Sequence, residues 1–252
     1  MERHRDQQMG QSWALLVVDM QMEMANATAA GLPRANPRAN PSVEQNIAQL
    51  LAGFRAADLP VVHVMHDDPR PQSKFRRDLA SGQPMPCAQP LSSEPVFWKT
   101  GSSGFVGTGL AEALRARGIS KLVIVGGVAA FCVNSTARSA ANLGFQIEVV
   151  EDALIAFALP ARKGGDLDAE VVLEVRFRRC RRGLGRVCQQ HRCWSGLLCQ
   201  HERGQATTYR DCRRRADRML LWWALGCCGL PCDLAGAQAG VGPHRAGGPG
   251  GD

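Results

Sequence analysis

Lys121-Leu122-Val123-Ile124-Val125-Gly126-Gly127-Val128-Ala129-Ala130-Phe131-Cys132-Val133-Asn134-Ser135-Thr136 opens as a short apolar run bounded by glycines. It continues into an Ala-rich stretch that reads as a helix from Cys132 to Leu143, stopped by Gly144. An unbroken apolar run is the mark of a parallel strand covered on both faces. A strand that hands over to a helix in so few residues is one half of a βαβ unit. The thiol of Cys132 falls at that handover, where the free N–H groups of a helix N-terminus favour a thiolate.

Four more apolar runs flank this one. Residues 13–18 end in Asp19, residues 60–65 lead to His66, residues 95–98 end at Lys99, and 146–150 follow Gly144. Between the first two, Ser42 is placed to cap a helix reaching about Ala57, with Val43, Ile47, Leu50, Leu51 and Phe54 on its apolar face. A second helix is predicted from about Thr108 to Arg117, before Gly118. Residues 23–41, with Pro33, Pro37 and Pro41, and the polar stretch 67–94 read as long connections. Five short strands alternating with helices predict a doubly wound α/β fold: a mostly parallel sheet with helices on both faces in three layers. In that architecture ligands bind beyond the carboxyl ends of the strands. Asp19, Lys99 and Cys132 all stand there.

Composition divides the chain. Residues 1–175 carry 16 Lys and Arg against 18 Asp and Glu, whereas 176–252 carry 14 Arg against 5 acids. The net charge of +7 therefore belongs to the tail. Cysteines divide alike: Cys87 and Cys132 lie in the body, and the other eight fall between Cys180 and Cys232. Residues 1–11 are polar and charged, read as disordered, and lack the apolar core of a secretory signal. No run approaches the roughly 20 apolar residues that span a bilayer. These features predict a cytoplasmic protein with reduced thiols, no membrane contact, and a domain spanning 12–175.

Val17-Val18-Asp19-Met20-Gln21, Lys99 with Ser103-Gly104-Phe105-Val106-Gly107-Thr108-Gly109-Leu110, and Cys132-Val133-Asn134-Ser135-Thr136-Ala137-Arg138 with Asn142-Leu143-Gly144-Phe145 occur in that order. Together they resemble the isochorismatase-like cysteine hydrolases, a superfamily that includes nicotinamidases and carbamoyl-amide hydrolases. The resemblance covers about residues 12–175 and implies a catalytic triad of Asp19, Lys99 and Cys132. By that resemblance Cys132 attacks a carbonyl and forms a thioester, Asp19 shuttles protons, and Lys99 holds the pair and lowers the thiol pKa. It further implies a non-proline cis peptide at Gly127–Val128, with the Val128 and Cys132 N–H groups as an oxyanion hole. Ala129 and Ala130 depart from the family's usual Thr and polar residue. The implied reaction is cleavage of a C–N bond in a small amide or related acyl substrate, by a homo-oligomer without a cofactor. Vinyl-ether hydrolysis of the isochorismatase type and a catalytically impaired scaffold are the alternatives.

Gln21, Phe105 and Phe131 are the candidate substrate contacts. His63, His66, Asp67 and Asp68 invite a metal-site reading. His63 and His66, three apart on a strand, point to opposite faces, and no further histidine precedes His191. No metal is therefore expected, and nicotinamidase activity is disfavoured. Beyond residue 175 the arginine runs, eight cysteines and Gly/Pro-rich end read as GC-rich coding sequence translated out of frame. That reading loses the sheet's C-terminal edge strand. The competing reading is a basic module with zinc on Cys188, Cys193, Cys199, His191 and His201, which is the only route to nucleic acid here.

Overall fold

A computed structural model describes residues 12–26, 38–178 and 186–188. The expectations for residues 1–11 and for most of 176–252, including the out-of-frame and zinc readings, lie outside the described residues.

Five strands form the main body of the sheet: β1 (Ser12–Val18), β3 (Val61–His66), β4 (Val96–Lys99), β5 (Ile119–Gly127) and β6 (Gln146–Phe157). Their order is β6-β5-β1-β3-β4, and every pairing among them is parallel. The chain runs outward from β1 to β4 and then returns to place β5 on the other side of β1. That reversal puts the topological switch point between the carboxyl ends of β1 and β5. A two-residue β2 (Arg38–Ala39) adds antiparallel to the end of β6.

Alternation explains the layers. In β1, Ala14, Leu16 and Val18 join one core while Trp13, Leu15 and Val17 join the other; in β5, Leu122 and Ile124 oppose Val123 and Val125. Side chains two apart share a face, so each central strand supplies both cores. One face is covered by α3 (Leu110–Ala116), α4 (Asn134–Asn142) and α5 (Ala169–Arg178). The other is covered by α1 (Met22–Asn26) and α2 (Val43–Ala56), which buries Val43, Ile47, Leu50, Leu51 and Phe54 as its 3.6-residue period predicts. No described helix is long and apolar enough to cross a membrane.

The structure departs from the sequence reading in five places. The start of the 23–41 connection is helical, as α1. Ser42 precedes α2 but makes no side-chain capping bond, since its backbone (φ −94°, ψ 13°) is not extended as that bond requires. Cys132 lies not in the first helical turn but in a π-helical turn, Ala129–Val133, closed by Val133 N–H donating to Val128 O. β6 runs on to Phe157 through a register irregularity opposite Gly126, beyond its expected end at Val150. Finally, an edge strand is present: the backbone of β9 (Arg186–Cys188) pairs parallel with Glu148–Val150 of β6. An unpaired sheet edge offers a row of N–H and C=O groups that any extended segment can satisfy. A small hairpin of β7 (Leu159–Pro160) and β8 (Asp166–Leu167) lies apart from the sheet.

Gly126 is the tightest point beside the switch. Its φ is +118°, and a Cβ there would stand 2.0 Å from Val18 O. Gly126→Ala is expected to destabilise the protein by more than about 3 kcal/mol, because backbone on both sides prevents relief of the clash. Chemical denaturation measures this, and a loss below about 1 kcal/mol would contradict the packing described.

Candidate functional site

Three strand ends deliver the site. Asp19 follows β1 with a left-handed backbone (φ 49°), an uncommon conformation for a residue with a side chain. Its N–H donates to Val64 O, which locks that conformation against β3. Strained backbone of this kind costs of order 1–3 kcal/mol and clusters at functional sites. Lys99 is the last residue of β4, and the β3–β4 register sets it directly beside His66. Cys132 projects from the π turn after β5. The Gly127–Val128 peptide just before that turn is cis.

The four side chains meet around one nitrogen. Lys99 Nζ lies 2.7 Å from Asp19 Oδ2, 2.9 Å from His66 Nδ1 and 3.4 Å from Cys132 Sγ. An ammonium carries three donors; His66 Nδ1 and Cys132 Sγ are acceptors here, and the Asp19 contact is an ion pair. The Lys99 side chain is wholly buried and Asp19 nearly so, at 0% and 1% exposure. Among the described residues no aligned hydrogen bond reaches either Asp19 oxygen, so the carboxylate's partners are the Lys99 charge and the Cys132 thiol.

Burial dominates the titration of the site. It raises the Asp19 pKa, against the lowering effect of Lys99. The Cys132 thiol is pushed up to about 12, first by burial and then by the Asp19 charge, and Lys99 offsets only part of this. The lowering of the thiol pKa expected from Lys99 is thus outweighed by burial and by the Asp19 charge. The helix whose dipole was to favour the thiolate begins only at Asn134, and the carboxylate beside the sulfur acts in the opposite sense. A carboxylate with raised pKa next to a thiol is instead a proton acceptor placed for that thiol.

The predicted substrate contacts separate. Phe131, beside Cys132, is half exposed, at 50%. Gln21 is fully buried. Its amide donates to His66 O and Gly82 O, and its carbonyl accepts the His66 N–H, so both amide hydrogens are spent on backbone. It clamps the 67–94 connection onto the end of β3 and is not free to meet a substrate. Phe105 also moves away. Ser103 Oγ donates to Ser139 Oγ, two turns along α4 from Cys132, and the Phe105 ring packs 5.6 Å from Phe145 at the far end of that helix. The Gly-rich loop 100–109 thus braces α4.

His63 and His66 do face opposite ways. His63 is buried against Glu94, which also holds Arg55 of α2. The argument that ligands are too few fails, however. Asp19, His66 and Cys132 bring three ligand-type atoms within 4.8 Å of one another, a grouping invisible in a linear sequence. The Lys99 ammonium lies among them and already supplies the positive charge. His66 is the site residue that sequence reasoning placed in the wrong role. Its signal was position: the last residue of β3, on the same carboxyl edge as Asp19 and Lys99.

Comparisons with known proteins agree with this architecture. Residues 13–165 match the isochorismatase domain family. A solved hydrolase of the isochorismatase family from Chromobacterium violaceum superposes with a TM-score of 0.68 at 32% identity, covering 74% of this chain and 93% of its own. The streptothricin hydrolase of Streptomyces noursei is 32% identical over 148 residues, which is 59% of this chain and 51% of that protein. The ureidoacrylate amidohydrolase RutB of Agrobacterium fabrum is 42% identical over 65 residues, or 26% and 28% of the two chains. The chain spans about half the length of the curated relatives it matches.

Removing the Asp19 charge is expected to lower the Cys132 pKa, since that charge and its hydrogen bond both raise it. In Asp19→Asn the pH at which iodoacetamide alkylation of Cys132 reaches half its maximum is expected to fall by at least about one unit. Peptide mass spectrometry across a pH series measures it; an unchanged or higher midpoint would contradict the geometry.

Proposed function

Since the chain belongs to the isochorismatase family, we propose that it is a cysteine hydrolase that cleaves a C–N bond of a small amide or related acyl compound through a thioester. The observation that carries this reading is the buried Lys99 ammonium, which sits within hydrogen-bonding reach of both the Asp19 carboxylate and the Cys132 sulfur. Names of relatives support the chemistry, with a hydrolase and an amidohydrolase among them.

The steps follow from the titration of the site. Asp19 stands next to the Cys132 sulfur, so attack begins when Asp19 takes the Cys132 proton as the sulfur closes on the substrate carbonyl. Lys99 compensates the negative charge as it moves from oxygen to sulfur. The carbonyl oxygen becomes an oxyanion, received by the Val128 and Cys132 N–H groups next to the cis peptide. On collapse the C–N bond breaks, and the amine departs with the proton held by Asp19. Water then enters, gives a proton to Asp19 and attacks the thioester. The acid leaves, and the returning proton restores the thiol. Phe131 is the exposed side chain placed to meet the substrate body. A reducing, cytoplasmic setting suits a mechanism that needs a free thiol.

A panel of small amides and ureido compounds, read by ammonia release, identifies the substrate class. On any substrate so found, Cys132→Ala and Lys99→Ala are expected to lose at least about 1,000-fold in kcat, the scale on which members of a catalytic unit fail alone. Retention of full turnover by either variant would sink the proposal. Turnover without ammonia that survives Cys132→Ala would favour vinyl-ether hydrolysis instead.

A further inference from the structure

We propose that His66 is a positioning residue that aims the Lys99 ammonium, acting as a neutral acceptor through Nδ1. The proposal rests on the triad reading above and adds a fourth member to it. Lys99 Nζ has three hydrogens, and one of them finds Nδ1 at 2.9 Å. With the lysine side chain at 0% exposure, bulk solvent does not reach it to supply a substitute acceptor. Without His66, the ammonium would collapse toward Asp19 at 2.7 Å and release the longer, weaker contact to sulfur at 3.4 Å. The histidine therefore balances a cation that must serve two sites.

His66 is itself held from three sides. Gln21 bonds both its N–H and its C=O, and the ring stands edge-on to Phe75 with centroids 5.6 Å apart. An imidazole accepts at Nδ1 only in the neutral form with hydrogen on Nε2. A protonated ring would set an N–H donor against the ammonium. The charged groups that act on the ring are Lys99 and Arg70, which disfavour protonation, and Asp19 and Asp68, which favour it. Burial and Lys99 together hold its pKa below the usual 6.5. The acceptor is therefore present at neutral pH and is lost only as the pH falls through that lowered pKa.

The role predicts effects on the thiol without any substrate. Iodoacetamide is the probe, and peptide mass spectrometry reports Cys132 alkylation in the full chain. His66→Ala is expected to slow alkylation about tenfold near pH 8, the effect of raising a thiol pKa by about one unit. His66→Asn places a non-titrating oxygen where Nδ1 stands and is expected to recover the rate to within about threefold of wild type. At acid pH, below the lowered pKa of His66, the wild-type rate should fall more steeply than thiolate loss alone requires, and His66→Asn should lose that extra break. A wild-type rate in His66→Ala, or a His66→Asn rate no better than His66→Ala, overturns the proposal. Circular dichroism of both variants separates misfolding from mispositioning. Because alkylation needs no turnover, Cys132→Ala activity tests the triad reading separately.

Discussion

The site depends on one buried cation. A lysine ammonium removed from water is costly unless its charge and its hydrogens are met. Here the charge is met by a carboxylate and the hydrogens by an imidazole and a thiol, delivered from the ends of three different strands. Each of those groups would be awkward in this place alone. Asp19 would be an uncompensated buried anion, and its pKa is raised even with the lysine present. The interaction is thus structural and chemical at once: the same contacts that make Lys99 tolerable bring a carboxylate, a cation and a thiol together.

That meeting depends on the sheet. The reversal of strand order between β1 and β5 opens the crevice into which Asp19 and Cys132 project, and β4 brings Lys99 from two strands away. Gly126 lets β5 pass against Val18 at a distance no side chain permits, so the two strand ends stay close. Gln21 then ties the 67–94 connection to β3, which fixes the backbone of His66. Rigid strands position the chemistry, and the connections hold it.

Burial sets the electrostatics of the site. It raises the Cys132 pKa, which disfavours the reactive thiolate form, and it raises that of the neighbouring Asp19 carboxyl as well. The polar residues around the site are correspondingly committed: Gln21 to the backbone of His66 and Gly82, Ser103 to Ser139, and the Gly104 N–H to Thr136. Phe131 is left as the exposed neighbour of the sulfur.

The amino-acid sequence by itself determined the parallel α/β class, the buried face of α2, and the placing of Asp19, Lys99 and Cys132 at strand ends. These are local matters: periodicity, apolar runs and glycine stops act over a few residues. The position of the cis peptide came from family resemblance. Only the tertiary structure decided that Gln21 and Phe105 serve the scaffold, that burial and Asp19 raise the Cys132 pKa, and that His66 joins the site. Those outcomes turn on distances between residues far apart in the chain and on exclusion of water. His66 and Lys99 are 33 positions apart in sequence and 2.9 Å apart in space. A pKa follows the surroundings of a side chain, and the surroundings exist only once the chain has folded.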